Sequence, residues 1–281
     1  MVTAAQQILT YATGISSPTG IVIKDGVAYV ASESEGKVYK LLHRAGIYTS
    51  GLNMPRGLAK GPDGLIYVAD TTNNNIYRLD APDKLTNFVA GFSYPSWFVF
   101  DSIGSTFLAD FAGGNLLKLS GNTSSVFASG MSGPAGVAYD AMNNLFYVSN
   151  YLNGTVSVVS GTGNVSTFAV GLYGPLGLAF SSPGNLYIAN SANGTIAHVV
   201  QGSGVSTFAA GFGLPVGVAL DAAKNVYVSD QSNNMIFVIS KSGVVFPFAT
   251  VASPFGIAFD GNDNLFVSDT QNKQIKELVL H

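Results

Sequence analysis

Apolar residues recur along this chain in short β-branched or aromatic runs, each closed within a few positions by Gly, Asn, Asp or Ser. Runs so short and so punctuated predict β-strands, and no stretch of helical period and length is left between them. The runs also repeat. Prolines stand at Pro18, Pro55, Pro95, Pro134, Pro175, Pro215 and Pro254, 37 to 41 residues apart. Glycine follows two places later in six of the seven units (Gly20, Gly57, Gly136, Gly177, Gly217 and Gly256), and Trp97 takes its place in the other. Next come an apolar run such as Val218-Ala219-Leu220, a turn, and a second apolar run such as Val226-Tyr227-Val228. That second run ends at Ser32, Asp70, Asp110, Asn150, Asn190, Asp230 and Asp269. An apolar residue lies six places beyond each (Val38 through Ile275) and another nine places beyond (Leu41 through Leu278), with no slip in any copy.

An aromatic segment closes each unit, from Tyr48-Thr-Ser-Gly to Phe248-Ala-Thr, and its seventh copy, Tyr11-Ala-Thr-Gly, precedes the first proline. Four short strands per unit, A to D, in units of about 40 residues are the signature of a β-propeller. The expected fold is therefore all-β: a seven-bladed propeller of four-stranded antiparallel blades, in one domain over residues 1–281. A six-bladed ring with an extra partial repeat is the alternative. Because the chain begins with a lone D and ends after a C, the amino-terminal strand is expected to join the carboxy-terminal blade and leave no orphan edge.

Antiparallel order fixes which loops share a face. If A leaves one face, B returns to it, so the B–C turns and D–A connections gather together around one mouth of the central channel. The residue between each proline and the glycine position forms a ring there: Thr19, Arg56, Ser96, Ala135, Leu176, Val216 and Phe255. Blades one to three offer polar groups and one cation, with Tyr94 and Trp97 beside Ser96, while blades four to seven offer apolar ones. Such a mouth suits an amphipathic ligand or a protein surface with an apolar anchor. Trp97 is singular: where six sisters keep glycine for a positive φ or a close backbone approach, the indole requires a different backbone or a course into the mouth. The strand-B carboxylates, with Asp70 and Asp110 as candidates, read either as Asx-type hairpin caps or as oxygens for calcium or magnesium.

Composition excludes more than it assigns. With 10% charged residues, a net charge of −3 and 47% hydrophobic residues, the chain is neither disordered nor a charge-laced bundle, and it carries no basic footprint for nucleic acid or anionic membrane. Zero cysteines remove disulfides, thiolate nucleophiles and Cys-ligated zinc. No apolar run is long enough to cross a membrane, and no signal peptide is visible near Met1. A monomer is expected, extracytoplasmic or secreted if a leader was removed and cytoplasmic otherwise.

The unit from Pro215-Val-Gly-Val-Ala-Leu-Asp through Asn225-Val-Tyr-Val-Ser-Asp-Gln-Ser-Asn-Asn-Met-Ile resembles an NHL repeat, and the resemblance runs through essentially the whole chain. It departs in lacking the Arg that often precedes the strand-C Ile, where Asn75, Met235 and Gln274 stand; RNA binding through a basic surface is not implied. Streptogramin B lyases are seven-bladed with similar repeats and use histidines with magnesium, but His43, His198 and His281 all lie off the expected mouth. The metal set of the gluconolactonase type, a Glu, the Asn of P-N-G and a strand-B Asp, is matched only at the Asp. The ring at the mouth, with a composition that resembles NHL sensor domains, gives the expected function: a non-catalytic module without a cofactor, binding a small molecule, glycan or protein through Arg56, Tyr94, Ser96, Trp97, Leu176, Val216 and Phe255. The alternative is a metal-assisted lyase or lactone hydrolase with an atypical site drawing on Asp70, Asp110 or Asp230.

Overall fold

The computed structural model describes residues 7–42, 45–120, 123–182 and 184–280. Seven four-stranded antiparallel sheets stand in a ring, each in the order A-B-C-D from the axis outward. In blade one the strands are Pro18–Lys24, Val27–Ser32, Lys37–Leu41 and Ala45–Thr49. Blade seven takes Pro254–Phe259, Leu265–Asp269 and Gln274–Val279 from the end of the chain and Gln7–Thr13 from its beginning. There are seven blades, not six with a partial repeat, and the last is completed by the amino-terminal strand.

Each strand B ends at the Ser, Asp or Asn that the repeat marks. The closing aromatic has a visible role: it packs over strand C onto an aromatic of strand B in the same blade. Seven such pairs, Tyr29 with Tyr48 through Tyr11 with Phe266, have ring centroids 4.7 to 5.2 Å apart. The inclined or edge-on geometry is the one the ring quadrupole favours.

Apolar clusters lie between neighbouring blades rather than within them. Tyr29, Ala31 and Val38 of blade one pack with Leu58, Ile66 and Val68 of blade two, and the pattern recurs around the ring. Polar contacts bridge the same seams nearer the axis. The Ser149, Ser229 and Ser268 hydroxyls donate to the carbonyls of Leu176, Phe255 and Thr19 in the following blade.

That close approach explains the recurrent glycine. A Cβ on Gly57 would stand 2.2 Å from the Ser96 carbonyl oxygen, and one on Gly20 would stand 2.1 Å from that of Arg56. The glycines are required by the neighbouring backbone rather than by a left-handed φ. In every blade the A–B register shifts just after the proline, lifting the two following residues out of the ladder at the mouth. Trp97 shares this shift, so of the two courses open to it, the indole goes into the mouth on the blade's ordinary register.

Candidate functional site

The register shift aims the residue after each proline at the axis, and the result is a cup of about 460 Å³ at the mouth. Its lower wall is apolar: Ile21, Phe98, Val137, Leu178, Val218 and Ile257, one strand-A side chain from each of six blades. Above them stand Arg56, Tyr94, Ser96, Trp97, Leu176, Val216 and Phe255. Phe111 and Tyr151 complete an aromatic arc across blades three and four, with Phe111 6.4 Å from both Tyr94 and Tyr151 between ring centroids.

Among the described residues Arg56 is the one cation on this wall, and it is held from two sides. Its Nη2 donates to Glu33 Oε1 at 3.0 Å, and its guanidinium carbon lies 5.4 Å from the Tyr94 ring centroid. A planar delocalised cation suits that double restraint. Its Nε is buried without a partner among the described residues. Tyr94 has a left-handed backbone, φ 65, but Ser17, Met54, Gly133, Gly174 and Ser253 share it at the same place before the proline. Its conformation belongs to the blade pattern; the ring it presents does not.

A second, more open cavity of about 420 Å³ adjoins the cup, lined by Ser17, Thr19, Glu33, Ser34, Met54, Gln231, Phe255 and Thr270. Phe255 borders both, and the Arg56–Glu33 pair spans the boundary. Thr19 therefore belongs to this polar alcove rather than to the cup, where Ala135 does take part.

Asp70 and Asp110 line neither cavity. Each turns toward the loop that leads into its own blade: Asp70 Oδ1 accepts the Asn53 N–H and Oδ2 the Asn73 amide, and Asp110 Oδ1 accepts the Ser93 N–H. Burial pushes both carboxyls above the ordinary aspartate value, partly offset by these donors. Asp230 is bound in the same way by Gly213, Leu214 and Asn233. Among the described residues no three His, Asp or Glu side chains converge on one point, and each of these three carboxylates is held by N–H donors. They are caps, as Asn190 is when it accepts the Tyr173 N–H in blade five.

His198 lies on strand C of blade five, stacked on Tyr187 with centroids 4.6 Å apart, and burial lowers its pKa. His43 and His281 lie outside the described residues. Glu33, Phe111 and Tyr151 were not singled out from the sequence. A signal existed: all three occupy the place just after the strand-B terminal residue, where aromatics occur in blades three and four alone.

Fold and cavities together define a seven-bladed propeller with an amphipathic cup at one mouth. Residues 52–76 match the NHL repeat family model. No curated protein matches the chain. Among solved structures it is similar to virginiamycin B lyase from Staphylococcus aureus, with a TM-score of 0.86 at 15% identity over 98% of this chain and 99% of that one. It is also similar to a gluconolactonase from Xanthomonas campestris, with a TM-score of 0.65 at 13% identity over 98% and 89%. The WD40 propeller domain of Doa1 gives 0.77 at 15% identity over 96% and 97%. The repeat match and the shared architecture support an NHL-repeat β-propeller.

Proposed function

We propose that this propeller is a non-catalytic module that binds a small molecule in the cup, with its apolar body against the lower wall and a hydrogen-bond acceptor toward Arg56. The observation that carries this reading is the composition of the cup wall: Arg56 as its one charged group, an aromatic arc, and apolar side chains elsewhere. Concave, mostly apolar sites with a few placed polar groups are where small molecules bind. General acid–base chemistry needs a titratable group within reach of the substrate; beside the phenols of Tyr94 and Tyr151 the described cup wall carries no carboxylate, and Glu33 of the adjoining alcove is engaged by Arg56. A catalytically inactive histidine-to-alanine variant has been crystallised for virginiamycin B lyase. In this chain, no described histidine lines the cup.

Trp97 is the single tryptophan and borders the cup, so its emission reports occupancy directly. Titration with phenol or acetophenone is expected to change that emission saturably, and Arg56→Ala is expected to weaken acetophenone about ten-fold while leaving the melting temperature nearly unchanged. A purely linear response to both probes contradicts the reading.

A further inference from the structure

Cup and alcove differ in chemistry but share a wall. The alcove carries groups that make no hydrogen bond to any described residue: the Ser17 and Ser34 hydroxyls, the Gln231 side-chain amide and the second oxygen of Glu33. The alcove thus offers both donors and acceptors, set among a larger apolar surface. Glu33 has its charge answered by Arg56 at 3.0 Å, so the alcove offers little net attraction to an ammonium group. A carboxylate placed there would meet the Glu33 carboxylate itself. What fits hydroxyl, amide and carboxylate groups set among apolar surface is a sugar, whose hydroxyls each give and accept a hydrogen bond and whose ring C–H faces are apolar. Beside it, Phe255, Trp97 and the apolar lower wall offer no comparable polar partners and call for a hydrocarbon ring.

We infer that the ligand is a glycoside: a sugar seated in the alcove, joined to an aromatic or alicyclic aglycone seated in the cup. The inference rests on the cup being the binding site and adds which chemical class spans the boundary at Phe255. The glycosidic oxygen falls near the Arg56–Glu33 pair, where the Arg56 guanidinium borders the cup as a donor. Neither half alone fills both cavities, so the two halves joined bind more tightly than either separately, the second contact forming at high effective concentration.

The experiment is isothermal titration with phenyl β-D-glucopyranoside, phenyl β-D-galactopyranoside, phenol and glucose, with Trp97 emission followed in parallel. At least one phenyl glycoside is expected to bind ten-fold or more tightly than phenol, with glucose alone far weaker. Gln231→Ala, or the exposed Ser34→Ala, is expected to bring the glycoside down to the affinity of phenol while leaving phenol itself unchanged. If both glycosides bind no better than phenol, yet phenol still perturbs Trp97 saturably, the inference is overturned and the cup stands as the binding site. If none of the four perturbs Trp97 saturably, the inference and the reading of the cup fall together.

Discussion

Tyr11 stands edge-on to Phe266, with ring centroids 5.0 Å apart and planes at 87°, although the two residues come from opposite ends of the chain. The pair repeats within blade seven the aromatic contact found in the other six, so closing the ring uses the same packing as building a blade. Ile15, fully buried, continues that seam into blade one, packed with Ile275 and Val30. Between the same two blades the Ser268 hydroxyl donates to the Thr19 carbonyl at 2.8 Å.

Closure is therefore expected to limit stability. Ile15→Ala should cost about 2–5 kcal/mol, the range for emptying a fully buried aliphatic site, and Tyr11→Ala about 2 kcal/mol, since the ring is half-buried. Ile47→Ala, at a side chain 53% exposed on an outer strand, should cost next to nothing. Thermal melts of the three variants check this order; an Ile15→Ala melt equal to the parent's contradicts it.

The glycines behind the mouth differ in how much room they have. Gly57→Ala drives a methyl group to 2.2 Å from the Ser96 carbonyl oxygen, whereas at Gly217 the nearest backbone atom, the Phe255 carbonyl oxygen, is 3.0 Å away. Gly57→Ala should lower the melting temperature clearly more than Gly217→Ala, with overpacking costing on the order of 1–3 kcal/mol at the tighter site. Equal losses would mean that the seams relax freely.

Asp70 is raised by burial, against the donors Asn53 and Asn73. A carboxyl raised on folding contributes stability that is fully present below the ordinary aspartate value and is lost as pH rises through the raised one. Asp70→Asn keeps an acceptor for the Asn53 N–H, as Asn190 does for Tyr173, and should remove this part of the pH dependence while changing neutral-pH stability by about 1 kcal/mol or less. Asp70→Ala leaves the Asn53 N–H without its acceptor and should cost about 1–3 kcal/mol. Denaturant unfolding from pH 3 to pH 7 checks both; an unaltered pH profile in Asp70→Asn contradicts the account.

At the alkaline end, Tyr39 and Tyr67 are pushed up to about 12 by burial and by their bonds to Glu35 and Asp63. Their folded values are raised, so their contribution is complete below about pH 10 and lost between pH 10 and 12. Absorbance at 295 nm should show these phenols ionising later than exposed tyrosines. Tyr39→Phe should flatten the loss of stability over that interval, as followed by thermal melts.

How much of this was legible in the sequence depended on how local the cause was. The end of every strand B, from Ser32 to Asp269, could be read because a short continuous apolar run and its turn residue are neighbours in the chain. The ring through Arg56, Ser96 and Phe255 could be read because the proline fixes its phase in each blade. Other features depended on side-chain direction, which spacing alone does not supply. Asp70 and Asp110 share the mouth level but turn to backbone N–H groups in their own blades. Glu33, Phe111 and Tyr151 occupy a turn position whose seven residues have little in common, so only the assembled ring shows an ion pair and an aromatic arc there. The alcove was likewise out of reach, since it draws Gln231, Thr270, Ser17 and Glu33 from three blades.

The most direct test of the binding cup is a crystal structure of the protein soaked with a library of small ring-containing fragments. Fragments are expected to collect in the cup, in contact with Trp97 and with an acceptor near the Arg56 guanidinium. Fragments bound at the opposite end of the channel or along the outer strands, with the cup passed over, would contradict the account.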